Sequence, residues 1–120
     1  MLYTSYFGNL RNLPTNIVPI AICAKVPYWY SGLQYKVLAP KYGFFMEWKN
    51  NHDDAYYTKC FEEQVLAGLD AQQVYATLQR LGDSTDIALI CYEKPQDFCH
   101  RHIVAKWFNE NGILCKEWIR

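Results

Sequence analysis

The sequence predicts one α/β domain over residues 1–120, a small three-layer fold with a mostly parallel sheet of about four strands and about four helices. Three observations lead there. Strand-like apolar runs are followed by segments of helical spacing, an order that right-handed crossovers turn into a parallel sheet. Two of the runs, Ile17 to Val26 and Ile87 to Tyr92, are nearly continuously apolar, as strands buried on both faces are. Asp and Gly residues stand where the intervening helices would start and stop.

Leu2 to Phe7 reads as the first strand, ended by the turn formers Gly8-Asn9. Ile17 to Val26, bounded by Pro14 and Pro27, is the second; it is too short and too β-branched for a helix. Pro40 occupies a good first helical position for Lys41 to Asn50, whose Phe44, Phe45 and Trp48 cluster on one side. Asp53 or Asp54 caps a second helix that runs to Gly68. Asp70 with Gln73 resembles a capping box, and Val74, Leu78 and Leu81 form the stripe of a third helix ending at Gly82. Ile87 to Tyr92 is the third strand. Asp97 then caps a helix from Phe98 to Asn111, stopped by Gly112, and Ile113 to Ile119 alternates as an edge strand with Lys116 and Glu117 able to reach water.

Composition narrows the function classes. Twelve Lys and Arg balance twelve Asp and Glu, which argues against binding nucleic acid mainly by neutralising phosphates. No run approaches the roughly 18 apolar residues a membrane span needs, and Met1 to Leu10 lacks the basic start and long apolar stretch of an export signal. Five cysteines (Cys23, Cys60, Cys91, Cys99, Cys115) without Cys-x-x-Cys spacing fit neither a disulfide framework nor a zinc knuckle, so a reducing cytoplasm is the expected compartment. Aromatic residues make up 17% of the chain, with ten Tyr and four Trp, more polar rings than core filling requires. Some are expected to line a surface or pocket.

In an open parallel sheet, ligands bind beyond the carboxyl ends of the strands. That rule brings together Gly8 to Arg11, Pro27 to Gly32 and Glu93 to Arg101. The expected pocket has walls of Tyr28, Trp29 and Tyr30, with Asn9 and Arg11 beside them, a carboxylate at Glu93, and a helix start carrying Cys99, His100 and Arg101. In a first helical turn the free amides and the dipole favour negative charge, so a thiol at Cys99 ionises more easily, further helped by an adjacent imidazolium or guanidinium. Arg101 offers a fork suited to carboxylate or phosphate. Against this stands a plainer reading: Cys99 as a small buried residue, His100 on the surface and Arg101 paired with Glu93 or Asp97. Metal binding by Cys91, Cys99, His100 and His102 is not expected, because the spacing matches no standard zinc signature and adjacent helical residues point about 100° apart.

The stretch Cys91-Tyr92-Glu93-Lys94-Pro95-Gln96-Asp97-Phe98-Cys99-His100-Arg101 resembles the domain of unknown function 488 family: a strand ending in Cys-x-Glu, a Cys-His-Arg triplet opening a helix, then a short final strand. Tyr3 to Asn9, and Trp29 to Leu33 through Ala39-Pro40, resemble a short branch of it. Many relatives carry Asp-Val-Arg-x-x-Pro-x-Ser after the second strand; here Ile22-Cys23-Ala24-Lys25-Val26-Pro27-Tyr28-Trp29 lacks the acid, the Arg and the Ser. The resemblance implies an α/β fold and importance for Glu93, Cys99, His100 and Arg101, without implying an activity.

Two functions stay open at this point, of which binding is the one the sequence favours, because 120 residues supply few loops to exclude water and the chain lacks a nucleophile elbow. One is a binding module for a small anionic, nucleotide-like molecule, with Arg101 and the helix start on the anion and Trp29 or Tyr30 stacked on the flat part. The other is a small enzyme with Cys99 as nucleophile and His100 or Glu93 moving protons. A weaker third is a protein-interaction module using exposed aromatics. Neither a P-loop nor a dinucleotide fingerprint is present, and no cofactor is expected.

Overall fold

A computed structural model describes residues 1–120. Five strands, β1 (Leu2–Tyr6), β2 (Val18–Ala21), β3 (Leu33–Gln34), β4 (Ile87–Cys91) and β5 (Cys115–Glu117), form one sheet in the order β3-β2-β4-β1-β5. Every pairing is parallel. The central strand β4 pairs Ile90 with Ser5 on one side and with Ala21 on the other. The four α-helices are α1 (Tyr42–Asn51), α2 (Asp54–Phe61), α3 (Ala71–Gly82) and α4 (His100–Glu110). A π-helical turn, Glu62–Leu66, prolongs α2. No helix is long and apolar enough to cross a membrane.

The α/β class and the parallel sheet are as the sequence predicts, with one strand more. β3 has only two residues, too few to show a period, and it exists because Ile20 and Ala21 of β2 offer it an open edge. β2 is shorter than its apolar run. The amides of Val18 and Ile22 donate to the β4 side, to Asp86 and Ile90, so alternation turns the missing N–H of Pro19 toward the other side, where β3 pairs only from Ile20 onward. Beyond Ala21 the chain leaves the sheet. β5 is shorter too, and the side chain of Asn109 serves Cys115 as a strand would, accepting from its amide (3.0 Å) and donating to its carbonyl (2.7 Å).

Handedness distributes the layers. From β1 to β2 to β3 the chain moves toward one edge; from β3 through β4 to β5 it moves back. Right-handed crossovers send those two directions over opposite faces. All four helices lie on the return side, where Leu2, Ile20, Ile22, Ile87 and Leu89 meet Phe61, Leu78, Val104 and Phe108 in the main core. Each such side chain contributes roughly 1.5–3 kcal/mol through burial. The outward connections carry no α-helix, so the third layer is irregular: Phe7 from a 3-10 turn (Phe7–Asn12), with Ile17, Tyr30 and Trp118, covers Ala21, Ala88 and Ile90.

Local signals set most helix ends. Asp53 accepts from the amide of Tyr56 and Asp70 from that of Gln73, both at 3.1 Å. Asp83 closes α3 in the left-handed conformation (φ 48°), and Gly112 (φ 80°) follows α4. Two expected starts are corrected. α1 begins at Tyr42, capped by Lys41, one residue past the expected Lys41. α4 begins at His100 with Cys99, not Asp97, at the cap, and the amide of Asp97 belongs to a turn closed on the Lys94 carbonyl.

Candidate functional site

The carboxyl ends of β2 and β4 point the same way, and the chain leaves both beside the start of α4. Cys23 follows β2 by two residues, and Cys91 is the last residue of β4. The segment from Tyr92 to Phe98 then returns to Cys99, whose backbone is extended (φ −156°, ψ 143°), and to His100, the first residue of α4. These residues floor a cavity of about 480 Å³, walled by Phe45, Trp48, Tyr57 and Phe98. Trp48 stacks on Phe98 with centroids 5.6 Å apart, and Tyr57 meets Phe98 edge-on at 5.2 Å. Exposed Lys25 and Lys49 stand at the rim, the Lys49 ammonium 5.1 Å from the centroid of the Phe45 ring. The size suits a small-molecule ligand.

His100 is buried and oriented. Its Nε2 lies 2.8 Å from the carbonyl of Ile22, which can only accept, so Nε2 carries a hydrogen and Nδ1 faces the sulfurs. From Nδ1 the distance to Cys91 Sγ is 3.5 Å and to Cys99 Sγ 4.0 Å. The three donor atoms all lie within 4.8 Å of one another. The neighbouring Cys91 thiol pulls the Cys99 thiol well below its ordinary range; His100 and the Arg101 amide add to the pull, and burial opposes it. The proximity of Cys99, with burial, holds Cys91 well above its ordinary range. Burial, then the nearby Cys99 charge, raises the Glu93 carboxyl. Cys23, whose Sγ lies 3.5 Å from the Lys25 carbonyl, is pushed up to about 11, chiefly by burial.

Of the residues singled out from the sequence, Glu93, Cys99 and His100 line the cavity. Arg101 does not. Its fully buried guanidinium grips both carboxylate oxygens of Glu117, from Nε at 3.1 Å and Nη2 at 3.0 Å, and donates from Nη1 to the Glu93 carbonyl at 2.6 Å. Glu117 also accepts from Thr4 Oγ1 at 2.7 Å, so it serves this buried pair rather than water. Tyr28, Trp29, Tyr30, Asn9 and Arg11 lie outside the cavity as well, because the connections that carry them cross the helix-free face. Tyr28 is fully exposed. Trp29, Tyr30 and Tyr92 gather around Phe7, with centroids 5.0–5.8 Å from its ring. Tyr30 spends its hydroxyl on the Leu33 carbonyl, and Asn9 accepts from Asn12. Of the three loops, the one from Glu93 to Arg101 lines the cavity and gives it Phe98, whereas Trp29 and Tyr30 turn to Phe7 instead.

Sequence reasoning missed Cys23, Lys25, Lys49 and the wall from α1 and α2. It considered Cys91 only as a metal ligand. A signal existed for Cys23 and Cys91, since both follow the carboxyl ends of neighbouring parallel strands, where Glu93 was sought. Cys99 is extended rather than helical, so the 100° separation of adjacent helical residues does not hold its side chain away from that of His100.

No curated protein and no solved structure matches the chain. The strand-end Cys91, the loop through Glu93 and the Cys99-His100-Arg101 helix start all fall within residues 10–112, which match the family model DUF488-N3a, described as the active DUF488-N3 subclade, and the chain belongs to that family.

Proposed function

We propose that this protein is a small enzyme that uses the Cys99 thiolate as a nucleophile against a small anionic molecule with a flat apolar part. The observation that carries the reading is the position of Cys99 Sγ: at the start of α4, in the floor of the cavity, 4.0 Å from a His100 Nδ1 that the Ile22 carbonyl holds in place. Nδ1 takes the Cys99 proton, giving a thiolate and an imidazolium. The sulfur bonds to an electrophilic carbon as the leaving group departs with its electron pair, taking a proton from the Glu93 carboxyl, which its raised pKa keeps protonated to a higher pH. Water then bonds to the carbon, returning a proton to the Glu93 carboxylate, and the sulfur leaves as the Cys99 thiolate. The aromatic wall receives the flat part of the substrate, and Lys25 and Lys49 draw its anion to the rim. The description of the subclade as active favours this reading over a binding module, as does the engagement of Arg101, the cation the binding reading relied on, with Glu117.

Alkylation of the chelator-treated native protein at pH 7, read by peptide mass spectrometry, tests it. Cys99 is expected to react ahead of Cys60 and Cys115. His100→Ala should slow it, because the share of Cys99 present as thiolate falls when one of the groups that lowers its thiol is removed. Iodoacetate should react faster than its neutral amide relative to a free thiol, an advantage lost in a Lys25→Gln, Lys49→Gln double variant. Labelling of Cys99 only after denaturation would sink the proposal.

A further inference from the structure

Cys91, Cys99 and His100 come from two elements, a strand end and a helix start, yet they present two sulfurs and one ring nitrogen within 4.8 Å of one another, all three side chains buried. Zinc bonds sulfur at about 2.3 Å and imidazole nitrogen at about 2.0–2.1 Å, so the edges of a zinc tetrahedron are roughly 3.5–3.6 Å from nitrogen to sulfur and about 3.8 Å between sulfurs. The Nδ1 distance of 3.5 Å to Cys91 matches the first value; that of 4.0 Å to Cys99 is longer, and the sulfurs lie within 4.8 Å, so binding draws the trio together by less than the length of a bond. The orientation of the ring is a second, independent indication. A metal-bound histidine commonly donates its other N–H to a carbonyl or carboxylate, which fixes tautomer and direction, and here Nε2 donates to the Ile22 carbonyl at 2.8 Å. Two thiolates cancel the charge of a divalent ion, which suits a site backed by the rings of Phe61 and Tyr57. The remaining position opens into the cavity that the three residues line.

We infer that this trio is a binding site for a soft divalent cation of the zinc type, held by Cys91 Sγ, Cys99 Sγ and His100 Nδ1, with its fourth coordination position facing the cavity. The site shares Cys99 with the nucleophile proposed above but does not rest on that role. An ion there draws on the sulfur electrons that attack would use, so metal occupancy slows Cys99 alkylation.

The native chain, freed of metal by chelator and kept reduced, is titrated with Co²⁺ and then Zn²⁺. One equivalent of cobalt is expected to bring a thiolate-to-metal charge-transfer band and the visible bands of a tetrahedral ion, both removed by zinc. Cys91→Ser should lose the bands and weaken zinc binding at least roughly 100-fold, beyond the usual cost of losing an outer-shell partner. Cys23→Ser should keep both, since Cys23 lies outside the trio. One equivalent of zinc should also slow alkylation of Cys99 and Cys91 at least roughly 10-fold while leaving Cys60 unchanged, a measurement that needs no variant and decides the matter if Cys91→Ser does not fold. A featureless cobalt titration with no zinc protection would overturn the metal site, as would bands retained in folded Cys91→Ser. Fast alkylation of metal-free Cys99 with no effect of zinc would leave the nucleophile standing and remove the site. Zinc binding with an inert metal-free Cys99 would do the reverse.

Discussion

Arg101 and His100 are neighbours with opposite assignments. The ring of His100 turns into the cavity, while the guanidinium of Arg101 turns to Glu117 and has no exposed surface. A buried ion pair adds little over a well-packed apolar pair, but removing one partner strands the other without water. Glu117→Ala is therefore expected to destabilise the fold by about 3–5 kcal/mol. Glu117→Gln, which keeps one acceptor for the fork, should cost less. Urea unfolding of the two variants gives the order, and equal losses would mean that the charge contributes nothing beyond shape. Residue types reveal half of this division of labour: they allow Arg101 in an ion pair, with Glu93 or Asp97, but only the arrival of β5 beside β1 supplies Glu117, the partner that draws it away.

At the level of the element, caps were legible where the rule is local. Asp53 and Asp70 each satisfy a free amide three residues on, within reach of the sequence alone. Asp70→Ala is expected to lower stability by about 1 kcal/mol, seen as a shift in denaturation midpoint at constant slope. The start of α4 was not legible, since Asp97 is the better cap by type. The first turn is instead fixed from outside, by the Ile22 carbonyl on His100 and by Glu117 on Arg101. The Tyr28-Trp29-Tyr30 run failed as a pocket wall for a similar reason. Which face a connection crosses depends on the direction the chain moves along the sheet, and local pattern carries no record of that.

The molecule as a whole was legible to the extent that hydrophobic runs declare it: four of its five strands and all four α-helices stand near their expected places, and β3 escaped because two residues have no period. Strand order ranks local stability. β4 is paired on both sides along its length, whereas β3 adds two residues at an edge. Hydrogen exchange should find the amides of β4 slowest and those around Leu33–Gln34 among the fastest of the sheet. Uniform protection across the five strands would contradict that ranking. The two faces also differ in how freely the chain can be lengthened. On the helical face every connection is committed to the main core, but between β2 and β3 the backbone runs past a wholly solvated Tyr28. Doubling a flexible loop costs only about 0.6 kcal/mol. A segment spliced in after Tyr28 would leave the Cys23 to Lys25 rim and the sheet untouched, which makes this the point at which a recognition loop or a reporter tag can be grafted with the cavity intact.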